Sequence, residues 1–317
     1  MGAYQHASGS FAWRADASIA RIDVNSDLKA AYEEVRSGKG VVIIRGLPVD
    51  GTLEAFCAAV WEAGRHFGAA LSQNAQGELI GHVIDATADD PTPRMYRSNL
   101  ELRPHNDITA MIALACWQKA RSGGASVLVS GVTVHDEMRR RAPELLVPLY
   151  RGYHYHRLGE EGPNEEPTTP YRVPVFSAVK DQLSCRYQRA GIAAGHRSRG
   201  VPLTDEDIAA FNLFDEIAKA PENRLAFYLE RGEMMVVNNY TVMHARSQFE
   251  NHPEPERQRR LVRLWLDAPG FRDVPREFNL FESNGVPPQS GRRASYDFRK
   301  LYADDPVASG GVPSIDA

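Results

Sequence analysis

The sequence predicts a mainly β fold with flanking helices, built on a double-stranded β-helix core of the jelly-roll, cupin-like kind. Three observations carry this. From Ile108 onward, short runs rich in β-branched and aromatic residues are separated by Gly, Ser and Pro signals. Helical stretches interrupt these runs without alternating with them strand by strand, which disfavours βαβ units. No linker rich in Gly, Ser or Pro divides residues 1–317, and no internal repeat is visible, so one domain is expected rather than two domains or a solenoid.

Taken in order, the first stretch, about 1–70, reads as helical decoration. DLKAAYEEVRSG predicts a helix ended by Gly38 and Gly40. VVIIRGLP predicts a short, fully buried strand closed by Gly46 and Pro48. TLEAFCAAVWEAGRHF, residues 52–67, has apolar residues at helical spacing. Residues 69–104 read as irregular and polar, with DATADDPTPRMYRSN as the clearest loop. Then ITAMIALACW, SVLVSG, VPVFSAV and LSCRY predict strands, interrupted by two helices. One is VTVHDEMRRRAPELLVPLY. The other is TDEDIAAFNLFDEIAKA, with Thr204 as N-cap, Asp207 completing a weak capping box, and an apolar stripe of Ile208, Phe211, Phe214 and Ala218. LAFYLE, EMMVVNN, a turn at Asn238–Asn239–Tyr240, VMHARS and RRLVRLWLD complete the strands, and the tail over about 306–317 is expected to be loose.

Composition narrows the function classes. A net charge of −4 leaves no basic footprint for nucleic acid, and no apolar run approaches a membrane span. The N-terminal stretch lacks the basic start and apolar run of a signal peptide. Cys57, Cys116 and Cys185 are too few and too scattered for a disulfide framework or a zinc ribbon, and read as small buried apolar residues in a reducing cytoplasm. A small-molecule partner is expected, and a homo-oligomer is compatible with the sequence.

The chemistry is carried by a set of residues split along the chain. His105 and Asp107 stand in ELRPHNDITAM, His244 in NNYTVMHAR, and Arg259 and Arg263 in RQRRLVRLWLD. Alone, His105-Asn106-Asp107 is also what a polar turn before a strand looks like. On an extended segment, however, residues two apart project to one side, so both can reach one ion. His135-Asp136-Glu137 offers a similar triplet but falls in a charged helical stretch and reads as a solvated face. His244 alone would be a buried histidine bonded to backbone. Together, two imidazoles and one carboxylate form the facial set that suits non-haem Fe(II) and leaves positions open for other ligands. On the last strand the two-residue period groups Arg259, Leu261, Arg263 and Trp265 on one face, and Arg260, Val262, Leu264 and Leu266 on the other. Either the arginines face water over an aliphatic core face, or they point into the barrel mouth while the aliphatic face packs on helices. The pattern does not choose between these.

These residues resemble the taurine dioxygenase-like (TauD/TfdA) family of Fe(II)/2-oxoglutarate-dependent oxygenases. The resemblance runs from about residue 95 to residue 270 and is carried by SNLELRPHND, the SGGAS stretch, GEMMVVNNYTVMHAR and RRLVRLWLD. It implies that His105, Asp107 and His244 are iron ligands and that Arg259 pairs with the distal carboxylate of 2-oxoglutarate. Ser126 stands where the family usually has a threonine that binds the same carboxylate. Arg263 matches a second family arginine near the C1 end of the co-substrate or the prime substrate. Arg260 would exchange roles with Arg259 on a one-residue slip, and Arg259 is preferred because it shares a face with Arg263. Asp107 favours hydroxylation or another oxidation over halogenation, because the related halogenases lack this carboxylate.

The implied activity is O2-dependent hydroxylation of an unactivated C–H bond in a small polar or anionic molecule, such as an amino-acid derivative, organic acid or pathway intermediate, with release of succinate and CO2. Candidate substrate contacts are Arg97, Asn99 and Arg263. YRGYHYHRLGEEGPNEEPTTPY resembles a lid, with Tyr153, His154, Tyr155 and His156 as further contacts. Two rival readings use the same barrel. A zinc-dependent hydrolase would need a nearby general base and would give Arg259 no role. A catalytically silent binding barrel would have no reason to keep triad and arginine together.

Overall fold

A computed structural model of the chain describes residues 9–89, 94–282, 285–289 and 291. The expected loose tail over 306–317 lies outside the described residues. The chain opens with β1 (Ala20–Asp23), α1 (Lys29–Ser37), β2 (Val41–Arg45) and α2 (Leu53–Gly64). Short strands β3 (Ala69–Ala70) and β4 (Gly81–Val83) lead to β5 (Leu102–His105) and β6 (Met111–Gln118). After β7 (Ser122–Gly123) and β8 (Ser126–Ser130) come α3 (Gly131–Arg141) and α4 (Leu146–Arg151). Strands β9 (Phe176–Val179) and β10 (Gln182–Cys185) form a hairpin before α5 (Arg189–Ser198) and α6 (Asp205–Lys219). The last strands are β11 (Arg224–Phe227), β12 (Met234–Asn238), β13 (Val242–Arg246), β14 (Phe249–Glu250) and β15 (Arg260–Asp267).

Two sheets form the walls of the expected jelly roll. One has the order β1-β2-β12-β6-β15-β3 with β4 also on β15, and the other β11-β8-β13-β5. Strands distant in sequence thus become neighbours, which lets a site draw on residues 105 and 244. Helix α2 packs on β6 and β15 so closely that a Cβ on Gly64 would come within 2.5 Å of Leu264 Cδ1. That contact decides the face of β15: Leu264 and Leu266 look out to the helix, and Arg263 and Trp265 look into the barrel. Among the described residues no helix is long and apolar enough to cross a membrane.

Several expectations need correction. The stretch 132–150 is not one helix: α3 stops at Arg141, and Pro143 opens a 3-10 turn before α4, because proline cannot continue the ladder behind it. His135 is not on a solvated face. It is fully buried against Tyr150 and Phe176, with Nε2 2.9 Å from the Tyr150 hydroxyl. On α6 the Thr204–Asp207 capping box forms as expected, but Ile208 is 41% exposed, and Ala210 and Ile217 join Phe211, Phe214 and Ala218 on the buried side. Helix α5 was not anticipated. Its glycines disguise it, and Gly195 is needed there because a Cβ would fall 2.3 Å from the His154 carbonyl oxygen. Cys116 and Cys185 are buried as expected and Cys57 half-buried; burial pushes the Cys116 thiol up to about 11.

Candidate active site

His105 ends β5, and antiparallel pairing of β5 with β13 sets it opposite His244, with ring centroids 4.3 Å apart. Asp107 lies two residues beyond the strand, so strand alternation is not what brings it to His105. Two buried asparagines do that. Asn106 Nδ2 donates to the carbonyls of Asn239 (2.9 Å) and Val242 (3.2 Å), and its Oδ1 accepts the Tyr187 N–H at 2.9 Å. Asn239 Oδ1 accepts the Asp107 N–H at 3.1 Å, and its Nδ2 donates to the carbonyls of Asp107 (2.6 Å) and Thr109 (2.7 Å). The turn before β13 is thereby fastened to the segment after β5. Every amide group in this clamp has a partner, as a buried polar network requires.

One donor atom from each of His105, Asp107 and His244 lies within 4.8 Å of the other two. His105 Nδ1 is 2.7 Å from the Arg103 carbonyl oxygen, which can only accept, so Nδ1 is the donor there and Nε2 is the ring nitrogen that faces Asp107 Oδ1, at 3.6 Å. Asp107 Oδ2 accepts Trp265 Nε1–H at 2.8 Å and Arg263 Nη1–H at 3.3 Å, and lies 4.0 Å from His244 Nε2. Burial alone would raise the Asp107 carboxyl, but Arg263, His244, His105 and Trp265 outweigh it and hold it at about 2. Burial, with help from His105, lowers His244 to about 3. Asp107 is therefore a carboxylate and His244 a neutral imidazole at working pH, the protonation states a metal ion needs.

His105 and Asp107 open onto a cavity lined also by Arg94, Arg186, Arg263, Tyr155 and Trp265. Acids on its wall are already engaged: Glu160 pairs with Arg94, and Asp215 with Arg189 and the Tyr187 hydroxyl. Arg263 Nε donates to Gln73 Oε1 at 2.7 Å, while its buried Nη2 has no partner. Of the lid residues, Tyr155 and His156 line the cavity; Tyr153 instead donates to Asp207, and the His154 ring bonds the Thr169 carbonyl. Arg97 and Asn99 do not line it; Arg94 and Tyr96 stand there from the same segment.

Ser126 and Arg259 line a second cavity, beside Cys116, Lys119 and Gly124. Arg259 just precedes β15 and is buried, with its guanidinium 4.9 Å from the Phe249 ring centroid, whereas Arg260 is half-buried. The SGGAS stretch makes room for it. Gly124 takes φ 75°, and a Cβ there would come 3.0 Å from Arg259 Nε. Burial pulls the Arg259 guanidinium down to about 10, still charged at neutral pH.

The chain matches the family described as "Taurine catabolism dioxygenase TauD, TfdA family" over residues 6–265. It belongs to the TauD/TfdA family. As a member it is an Fe(II)- and 2-oxoglutarate-dependent oxygenase, which sets aside the zinc hydrolase and the silent barrel. It is 30% identical over 275 residues to FR-33289 synthase of Streptomyces rubellomurinus (strain ATCC 31215), covering 84% of this chain and 80% of that protein. It is 22% identical over 255 residues to the taurine hydroxylase-like protein SAT17 of Stachybotrys chartarum (strain CBS 109288 / IBT 7711), covering 75% and 63%. Among solved structures, an asparagine oxygenase in complex with Fe(II), 2S,3S-3-hydroxyasparagine and succinate superposes with TM-score 0.58 at 17% identity, covering 75% of this chain and 78% of that one. The non-haem iron oxygenase OrfP with Fe, succinate and (3S)-hydroxy-L-Arg gives TM-score 0.58 at 13% identity, covering 79% and 83%. These structures share the fold of this TauD/TfdA oxygenase.

Sequence reasoning had not assigned Asn106, Asn239 or Trp265 a role in this oxygenase's site. Trp265 carried a readable signal, since it shares the period-two face of Arg263; the asparagines, sitting in turns, carried none.

Proposed function

We propose that this oxygenase hydroxylates a C–H bond of a small anionic or amino-acid-like molecule held against the His105–Asp107–His244 cluster. His105, Asp107 and His244 hold Fe(II), and Arg259 with Ser126 receives the distal carboxylate of 2-oxoglutarate. When bound, iron, 2-oxoglutarate and O2 supply the oxidising chemistry, with succinate and CO2 as co-products. The chain's own residues fix position. Trp265 and Arg263 hold Asp107 Oδ2, the Arg103 carbonyl fixes the His105 tautomer, and Asn239 clamps the Asp107 backbone.

The observation that carries the substrate class is the cavity wall: Glu160 and Asp215 are paired with Arg94 and Arg189, and Arg263 with Asp107, which leaves Arg186 with Nε and Nη2 buried and unbonded. Such a wall favours a carboxylate or a similar anion. The hydroxylated amino acids in the asparagine oxygenase and OrfP complexes support an amino-acid-like skeleton. Residues 1–317 act as one domain in this reading, supported by a cluster of buried apolar side chains running from Trp13 to Val286. The unpaired cysteines support a reducing compartment, the cytoplasm. The test is succinate release from iron-loaded protein across amino acids, their acylated derivatives and small organic acids. Stimulation by an anionic or amino-acid-like compound, with a hydroxylated product, is expected; stimulation only by neutral apolar compounds would refute the substrate class.

A further inference from the structure

Strand β13 ends in an arginine, Arg246, to which the resemblance gives no role. Arg246 follows His244 by two residues and so projects to the same inward side. Its backbone pairs directly with Ser126 on β8. Its guanidinium lies 4.9 Å from the centroid of the Phe249 ring, the same distance at which Arg259 sits from that ring. Both arginines are only 5% exposed.

Two cations buried around one phenyl ring repel each other, and their N–H groups cost free energy if left unbonded. Arg246 satisfies part of this demand. Its Nη2 donates to the Ser98 carbonyl at 2.7 Å and to the Leu100 carbonyl. Nε and Nη1 of Arg246 and Nη1 of Arg259 are buried with no partner. Asp85 is the acid whose field reaches Arg246, yet no carboxylate forms an ion pair with either guanidinium among the described residues.

We propose that Arg246 is a co-substrate-binding residue: with Arg259 and Ser126 it forms a two-arginine clamp on the distal carboxylate of 2-oxoglutarate. The inference rests on the assignment of Arg259 and Ser126 given above. A carboxylate there neutralises both cations and offers lone pairs to the unbonded N–H groups, so one anion serves both guanidiniums. Selection of a dicarboxylic over a monocarboxylic 2-oxo acid is then shared between β13 and the start of β15.

A purely structural role is the competing account, because Nη2 also ties down the segment that leads into β5. The experiment separates the two by comparing 2-oxoglutarate with 2-oxopentanoate, which lacks the distal carboxylate. Uncoupled oxygen consumption by iron-loaded protein gives kcat/KM for each in wild type, Arg246→Gln, Arg246→Lys and Arg259→Gln. Calorimetric titration of metal-free protein with glutarate gives a second readout free of turnover. For Arg246→Gln the preference for 2-oxoglutarate should fall on the order of ten- to a hundredfold, the worth of a charge-assisted hydrogen bond, with 2-oxopentanoate little changed and glutarate binding weakened. Arg246→Lys keeps a charge and a donor for the Ser98 carbonyl, and should lose less, so it preserves the test if Arg246→Gln does not fold. An unchanged preference in folded Arg246 variants, beside a collapse in Arg259→Gln, would overturn the clamp and leave the Arg259 assignment standing. An unchanged preference in Arg259→Gln would overturn that assignment and the clamp with it.

Discussion

Trp265→Phe tests how firmly the carboxylate of the triad is held. The indole N–H donates to Asp107 Oδ2 at 2.8 Å, beside Arg263 at 3.3 Å. Phenylalanine keeps an aromatic ring on the inward face of β15 and deletes that donor. A hydrogen bond to a charged group contributes about 1.5–3 kcal/mol. Because Arg263 still grips the same oxygen, the lower part of that range applies, and about 1.4 kcal/mol is tenfold in affinity. Loss of an outer partner of a metal ligand typically weakens binding by roughly 10- to 100-fold, which agrees. Anaerobic calorimetric titration of Fe(II) into metal-free wild type and variant measures it, with thermal melts to show that both are folded. A folded variant with wild-type iron affinity would refute the claim that Trp265 sets the carboxylate.

Arg259→Ala should raise KM for 2-oxoglutarate by on the order of a hundredfold, since a buried charge pair loses one partner; Arg260→Ala, at a half-buried position on the opposite face, should stay within about threefold, and steady-state kinetics in which the order is reversed would show that the register is wrong. Asn239→Ala removes the partner that Asn239 gives the Asp107 N–H and the Thr109 carbonyl, while the Asp107 carbonyl keeps Arg186 Nη1 at 2.6 Å, so urea unfolding should show a loss of at least about 2 kcal/mol. Burial would raise the Asp207 carboxyl, but the Thr204 backbone and hydroxyl, the Tyr153 hydroxyl and Arg151 outweigh it and hold it below its ordinary 3.8. A depressed folded value means the stabilisation is fully present above that ordinary value and is lost as pH falls through the folded one. Melting temperatures from about pH 6 to about pH 3 should therefore fall more steeply in wild type than in Asp207→Asn, and parallel curves would contradict this.

Much of the site was legible in sequence because its chemistry needs particular residue types at particular phases. Two histidines, an aspartate and alternating arginines could be read from HND, MHAR and RRLVRLWLD, and strand period alone named the set to which Trp265 belongs. The choice of face was not legible, since Arg263 on either side of β15 leaves the same string; the close approach of Gly64 to Leu264 decides it. Asp107 reaches the cluster by side-chain clamps from Asn106 and Asn239, and contacts between turns distant in sequence leave no periodic trace. Helix α5 was hidden because Gly195 serves packing against the His154 backbone, not local propensity. His135 misled for a related reason: Arg139, Arg140 and Arg141 on the same helix are exposed while its own ring packs inward on Phe176. Arg97 and Asn99 stand close to His105 in sequence, but Arg94 and Tyr96 of the same segment are the ones that line the cavity.

The central claim is that His105, Asp107 and His244 hold an iron that chelates 2-oxoglutarate. Anaerobic absorption spectroscopy of metal-free protein titrated with Fe(II) and then 2-oxoglutarate tests it most directly. A weak visible charge-transfer band that appears only with both, and is lost in His105→Ala and His244→Ala, is the result expected. Folded, iron-loaded wild type that gives no band, or a band that survives in both histidine variants, would contradict the assignment.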